Sequence, residues 1–539
     1  MRRFVYLIAI GIVLLLPHTL AAQQDQKWVV SWVASAHGPY PVGNPSAQPD
    51  QRFAFPSAQT GANDQTFRLI VRPDIWGRQA RLRLTNMFGA KAVTFDDVFV
   101  GLQMGGPGLV KGTNRPVTFG GKTSVTVAPG SAVWSDSVQL GFVRDPAAAE
   151  LAGRKLAISF HVAGESGPMT WHAKALTTSY VTAAGAGSKG KSEDEAAFPY
   201  STASWFFLDA VEMMAPADSF AIVAFGDSIT DGTASTMNGD DRWPDVLSRR
   251  LHAVHGNRIA VVNAGIGGNQ IAGPADYSPQ KPFPGGPSAI QRIERDVLEL
   301  SGVTAMIWLE GINDFSRNGN ASVEKAQNGM REVVGRIRAQ RPQMRVIGAT
   351  VVSALGASNA AHGFPEQDDK RKALNEFIRT SGLFDGVIDF DKATLDTPVA
   401  SRRSSCPKVR PAGRVTSFTR TAPATSRWEW RSTSTCSRPK RRAADRRDAM
   451  QQVEIRPGIS IAYEDDWFGK PWSVPETVVM VHGNSESSRA WVSWVTHLAD
   501  KYRVVRLDLP GFGASTEPPG YGWSAGELAA DVARFLDAL

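Results

Sequence analysis

The alternation of apolar and polar positions changes character along the chain. From about Gln23 to Ala215 it runs in short β-like stretches, such as Thr66-Phe-Arg-Leu-Ile-Val71, Ala80-Arg-Leu-Arg-Leu-Thr85 and Leu156-Ala-Ile-Ser-Phe-His-Val162. Gly/Pro/Asn/Asp clusters separate these stretches at close intervals and no long helical period appears, which predicts a β-sandwich or jelly roll. From Ser219 the apolar runs become continuous and alternate with amphipathic segments. Ala221–Phe225, Ile259–Asn263, Ala305–Leu309, Arg345–Val351 and Gly386–Phe390 predict buried strands. Between and after them, Trp243–Val254, Ala289–Leu300, Val323–Arg341 and Asp368–Thr380 predict helices, so the region reads as a three-layer α/β/α sandwich around a parallel sheet. Periodicity vanishes at about Val399 and returns near Met450, where Val453 to Tyr463 predicts two strands, Thr477–Val481 and Arg503–Leu507 buried strands, and Ser524 the start of a helix running to Leu539. The expected division is a leader over 1–22, a β domain over 23–215, an α/β domain over 216–398, an aperiodic segment over 399–449 and a partial second α/β unit over 450–539.

The leader has a basic start, Met1-Arg2-Arg3, an apolar run from Phe4 to Leu16, and small residues at Ala21-Ala22. These are the parts of a secretory signal peptide, and the run is shorter than the roughly 18 residues a membrane span requires. The expected location is periplasmic or secreted, with no stable membrane insertion after removal; the rival is a retained anchor. Cys406 and Cys436 are the only cysteines, so no disulfide framework supports the fold. The net charge of +7 invites a nucleic-acid reading. Its distribution confines that reading to one place: fourteen Lys/Arg against three Asp/Glu between Ser401 and Ala449 give that segment +11 and leave −4 for the rest. Trp28, Trp32, Trp76, Trp134, Trp171 and Trp205 in the β domain either stack on sugar rings or fill core and hinge positions.

Candidate chemistry sits where predicted strands end. The first α/β strand stops at Gly226-Asp227-Ser228, which places the Ser228 hydroxyl at the sheet edge where open α/β folds bind ligands; alone, the same serine would only cap a helix. The second strand ends in the glycine-rich turn Asn263-Ala-Gly-Ile-Gly-Gly-Asn269, whose N–H groups can approach a ligand oxygen, and the third is followed by Leu309-Glu-Gly-Ile-Asn-Asp314. In this order the three blocks resemble those of the SGNH, or GDSL, hydrolases, over roughly Ser219 to Leu395. The resemblance implies Ser228 as nucleophile, with its own N–H, the N–H of Gly268 and the side-chain amide of Asn313 as the oxyanion hole. It also implies ester hydrolysis through a seryl acyl-enzyme, on small-molecule, lipid or polysaccharide esters. No motif calls for a metal or organic cofactor. A non-catalytic carbohydrate-binding protein using the tryptophans is the alternative from a different class.

A serine needs a base, and the resemblance implies an Asp-x-x-His block after the last strand. None is present. His362, in Ala360-Ala-His-Gly-Phe364, lies before the fifth strand and has no aspartate three residues upstream. The genetic code offers an account. Codons permitted for Ser404 to Ala424, read in a shifted frame, spell a peptide containing Asp-Lys-Leu-His-Pro, with the aspartate codon straddling Val415/Thr416 and the histidine codon Phe418/Thr419. Continued from Thr425 to Ser437, the same frame spells an apolar helix. Residues 399–449 are therefore expected to be a frameshifted last block, and this exact chain to be impaired; the rival is a basic nucleic-acid-binding tail carrying Trp428 and Trp430. Beyond Met450, His482-Gly483-Asn484 and Asp508-Leu-Pro-Gly-Phe-Gly-Ala-Ser515 resemble the early half of an α/β-hydrolase. Gly522-Trp-Ser-Ala-Gly526 matches the nucleophile-elbow pattern without a buried strand before it, so Ser524 is expected to begin a helix rather than to act as a nucleophile.

Overall fold

The computed structural model describes residues 25–395, apart from 46–47 and 358, and residues 450–539, apart from 468–474, 484–485, 500, 517–519 and 523. The leader and the segment expected to be frameshifted, with Cys406 and Cys436, lie outside the described residues.

The N-terminal region is built of antiparallel strands. Gln26–Val33 pairs with Leu208–Pro216, which pairs with Gln79–Thr85; a second sheet runs Asn63–Val71, Leu156–Glu165, Val93–Gly105. The three sequence runs are thus strands, each slightly longer than expected. Phe67, Leu69, Phe95, Ile158 and Phe160 from the second sheet and Leu82, Leu84, Val211 and Met213 from the first join one apolar core. The stretch from Ala184 to Ala197 is irregular, as its Gly/Ser-rich sequence implies. It is nonetheless held, because the buried Arg68 guanidinium donates to the carbonyls of Ser192 and Asp194.

Most of the tryptophans of this region are core residues. Trp32, Trp76, Trp171 and Trp205 are buried, and Trp28 and Trp134 both lie on the Arg81 guanidinium, 4.7 and 4.8 Å from its carbon. The core alternative holds for the first four, while Trp28 and Trp134 are half-buried with Arg81 over one face of each ring.

The central region is a five-stranded parallel sheet in the order Ile259–Gly265, Phe220–Gly226, Val303–Leu309, Arg345–Ala349, Gly386–Ile388. The period of two is visible in its packing. Ala221, Val223 and Phe225 enter one core with residues of the helices Val323–Gln340 and Pro365–Thr380; Ile222 and Ala224 face Trp243, at the start of Trp243–His255, and Phe390. Two expectations shift. The helix expected over Ala289–Leu300 is α-helical for Ala289–Ile293 and then widens to a π turn over Glu294–Leu298. Phe390 leaves the fifth strand, because the Asp389 side chain accepts from the Lys392 N–H and starts a short helix.

The two regions share a core. Val29, Val30, Val33, Ile75, Ala210 and Ala215, from the β region, pack with Ala260, Val262 and Ala264 of the sheet's edge strand. Gly302 lets them approach: its φ is +72°, and a Cβ there would lie 2.9–3.1 Å from atoms of Val29.

The C-terminal region holds four strands in the order Gln451–Arg456, Ile459–Asp466, Arg503–Leu507, Thr477–Val481, and the helices Val492–Leu498 and Ala525–Ala538. Ser524 caps the last helix, accepting from the Glu527 N–H at 3.1 Å, as expected from its context. No helix among the described residues is long and apolar enough to cross a membrane.

Candidate active site

Three neighbouring strands end level. Gly226, in the middle, is in register with Gly265 on one side and Leu309 on the other. The chain leaves each strand on the same edge, so the loops carrying Ser228, Gly268 and Asn313 lie side by side. Glycine is required at two strand ends. A Cβ on Gly226 would lie 2.1 Å from the Leu309 carbonyl oxygen, and one on Gly265 2.2 Å from the Asp231 nitrogen.

Ser228 is the first residue of the short helix Ser228–Asp231, whose cap is Asp227: the carboxylate Oδ1 accepts from the Ile229 N–H at 2.9 Å. The Ser228 carbonyl accepts from the N–H groups of Gly232 and Thr233, which fixes the turn on which the hydroxyl sits. Ser228 is 8% exposed, and among the described residues no base is hydrogen-bonded to its hydroxyl.

The second and third loops are tied directly to each other. Asn313 Nδ2 donates to the Asn269 carbonyl at 2.9 Å, which leaves its second N–H to be donated elsewhere. Asp314 accepts from the N–H groups of Ile271 and Ala272, so the residues flanking Gly268 and Asn313 are mutually braced. Gly268 has φ +87°, a left-handed conformation that favours glycine.

Beneath the loops lies a group the sequence reading missed. Arg292, 1% exposed, donates to the carbonyls of Gly226 (2.9 Å) and Ala264 (2.8 Å), to Asn269 Oδ1 (2.7 Å) and to Asp296 Oδ2 (3.0 Å), with its guanidinium over the Phe225 ring. One cation therefore holds the first strand end, the second strand and the glycine loop together. Nothing in the sequence marks it, since Arg292 reads as one more polar position on a helix. Asp227, Glu310 and Asp314 are buried as well, the first two within reach of its charge. Burial, reinforced by the mutual repulsion of these carboxyls, raises Asp227 well above the ordinary carboxylate range, and burial likewise raises Glu310. Asp314 is pushed up to about 7, by burial first and by Glu310.

The β region reaches into the site as well. Asp231 Oδ2 accepts from the Gly267 N–H at 2.7 Å, its Oδ1 lies 3.2 Å from His172 Nε2, and Asn44 Nδ2 donates to the Gly267 carbonyl at 2.8 Å. Burial works to raise Asp231, but His172 and Lys174 overcome it and hold the carboxyl below its usual range. Burial opposes the charged form of His172 too, and Asp231 outweighs it, so His172 titrates above its ordinary value. The missed residues Asn44, His172 and Lys174 lie far from the three blocks in sequence, and only the shared core brings them close.

His362 is held by Gln367. Gln367 Oε1 accepts from the Gly363 N–H, so its Nε2 is the donor, to the Ile312 carbonyl at 3.0 Å and to His362 Nδ1 at 2.7 Å. Nδ1 is thereby the acceptor, and the neutral ring carries its proton on Nε2. Through Gln367, His362 is linked to the asparagine loop.

Residues 224–408 match the model of the GDSL-like lipase/acylhydrolase family. The match falls on the central domain and takes in all three blocks. It agrees with the sequence resemblance to SGNH, or GDSL, hydrolases. Residues 476–539 match the α/β-hydrolase fold model. Among solved structures, a carbohydrate acetylesterase family member from Sinorhizobium meliloti is 19% identical over 33% of this chain and 86% of that one, with a TM-score of 0.27. A lipase/acylhydrolase from Enterococcus faecalis is 22% identical over 32% and 77%, with a TM-score of 0.25. Curated relatives include a cis-3-alkyl-4-alkyloxetan-2-one decarboxylase of Xanthomonas campestris, 33% identical over 16% of this chain and 31% of its own length. Haloalkane dehalogenase 2 of Mycobacterium tuberculosis is 33% identical over 15% and 26%. The chain thus spans less than a third of the length of these curated relatives.

Proposed function

We propose that the chain is an exported carboxylic-ester hydrolase in which Ser228 attacks the ester carbonyl. The N–H groups of Ser228 and Gly268 and the amide of Asn313 receive the charge that develops on oxygen. The observation that carries this reading is the convergence of three loops at one sheet edge, braced by the Asn313–Asn269 bond and by Arg292. Donors held in advance around a developing oxyanion are worth several kcal/mol, because they need no reorganisation as the charge appears. The acyl group passes to Ser228 as the alcohol leaves, and water then releases it as the acid. The antiparallel strands of the N-terminal region, read here as a β-sandwich, share a core with this hydrolase domain, and a small-molecule or polysaccharide ester suits an exported location. The leader over 1–22 supports that location.

Among the described residues no base is hydrogen-bonded to Ser228, and the shifted-frame peptide with Asp-Lys-Leu-His supports the view that 399–449 replaced the block that would carry one. Loss of a triad histidine costs on the order of 10⁶-fold in turnover. The test compares hydrolysis of a short-chain p-nitrophenyl ester by this chain, by Ser228→Ala and by a frame-restored version. The restored form is expected to be fastest by orders of magnitude and Ser228→Ala slowest. Equal rates in all three would sink the serine mechanism, and coding DNA incompatible with the shifted peptide would sink the frameshift.

A further inference from the structure

The structure assigns Asn44, in the β region, as the positioning residue that aims the oxyanion-hole N–H of Gly268. This rests on the serine mechanism above and adds a group from outside the hydrolase domain to it. The argument begins with one peptide unit. The Gly267 carbonyl and the Gly268 N–H belong to the same planar amide, and in a trans peptide they point in opposite directions. Whatever holds the carbonyl oxygen therefore sets the direction of the N–H. Asn44 Nδ2 holds that oxygen at 2.8 Å.

The neighbouring groups permit little else. Gly267 and Gly268 have the backbone freedom to turn this amide, and Gly268 sits at φ +87°. The preceding amide is fixed from the other side, where Asp231 Oδ2 accepts the Gly267 N–H at 2.7 Å. A Cβ built on Gly267 would meet Lys174 Nζ at 3.2 Å, Asn44 Cβ at 3.4 Å and Asp231 Oδ2 at 3.4 Å, so the two residues that bind this glycine, and a lysine, surround it. A Cβ on Gly268 would lie 2.7 Å from Asn44 Nδ2. Asn44, Lys174 and the His172 that contacts Asp231 all come from the β region. Donation to the Gly267 carbonyl also polarises the amide and makes its N–H a better donor, because hydrogen bonds in series strengthen one another. The β region thus completes the hole rather than merely shielding it.

The experiment follows acetylation by p-nitrophenyl acetate of the full-length chain with its frame restored over 399–449, which serves as wild type here, and of its Ser228→Ala, Asn44→Ala and Asn44→Asp variants, with intact mass reporting acetyl-Ser228. Asn44→Ala is expected to lower kcat on the order of tenfold to a hundredfold while KM stays within twofold, since a misdirected donor weakens the transition state more than the bound ester. Asn44→Asp is isosteric. As a carboxylate it cannot donate and should be as slow as Asn44→Ala at pH 8. As the pH falls toward 5 its protonated form donates to the Gly267 carbonyl, and its rate relative to wild type should climb. General loosening of the loop would not give that pH-dependent recovery. Ser228-dependent acetylation with Asn44→Ala within twofold of wild type, or an Asn44→Asp ratio flat with pH, overturns this assignment alone. Equal rates for wild type and Ser228→Ala overturn the serine mechanism and this assignment with it.

Discussion

Arg292 shows how much of the site depends on one buried side chain beneath its loops. Its guanidinium satisfies two strand-end carbonyls and the Asn269 amide oxygen, and it shares Asp296 with Arg295. Arg292→Met fills similar space but leaves those acceptors buried without donors, and the Asp227 and Glu310 carboxyls without the nearby cation. Breaking such a network costs about 3–5 kcal/mol. Urea unfolding should show that loss in the midpoint with the slope unchanged; a change under 1 kcal/mol would mean that the carbonyls find other donors. The residues that meet substrate in the proposed mechanism were legible in the sequence for the opposite reason. Ser228, Gly268 and Asn313 each follow directly on a predicted strand, so position along the chain gave their place in space. Arg292, Asn44 and His172 act across the tertiary fold, where spacing carries no information.

At the scale of elements, strands and helices were read to within a residue or two wherever glycine, proline or a polar cluster bounded an apolar run. Trp243–Val254 became Trp243–His255, and Val323–Arg341 became Val323–Gln340. The reading missed where local chemistry overrides periodicity. Pro365 opens its helix three residues before the expected Asp368, because proline fits the first turn, whose N–H would lack a partner in any case. The loops after the second and third strands have their own pH signature. Asp314 binds its proton up to about pH 7 in the folded chain, whereas an unfolded aspartate releases it near 3.9. The folded state binds more protons between these values, so this group's contribution to stability is full below about pH 4 and is lost as the pH rises toward 7. The loss is up to about 4 kcal/mol for a shift of this size. Asp314→Asn removes the titration and keeps an oxygen for the Ile271 N–H. Melting followed from pH 4 to pH 8 should therefore show wild type losing stability relative to Asp314→Asn, and parallel curves would place the Asp314 carboxyl in its ordinary range.

For the whole molecule, the expected boundary at 215/216 separates two patterns of strands but cuts through a single core. The sequence showed the change from alternating to continuous apolar runs. It could not show that Val29, Val30, Val33 and Ile75 turn toward the parallel sheet while Trp32 turns into the β core, because a strand buried on both faces gives no alternation. Burying a valine or isoleucine side chain is worth about 1.5–3 kcal/mol, so these four alone supply a tight interface if the chain is divided there. Polar contacts register it: the Val30 N–H donates to the Ser301 carbonyl at 2.9 Å, Arg72 pairs with Asp245 at 2.7 Å, and Arg295 Nη2 donates to the Ala36 carbonyl at 2.7 Å. Residues 25–216 and 217–539, produced as two chains, should copurify at 1 M salt, because the apolar contact outlasts screening of the exposed charges. The second chain made alone should aggregate, since Ala260, Val262 and Ala264 would face water. A monomeric, soluble second chain that melts cooperatively would show instead that the hydrolase domain closes its own edge, and would leave the β region as an appendage rather than a wall of the site.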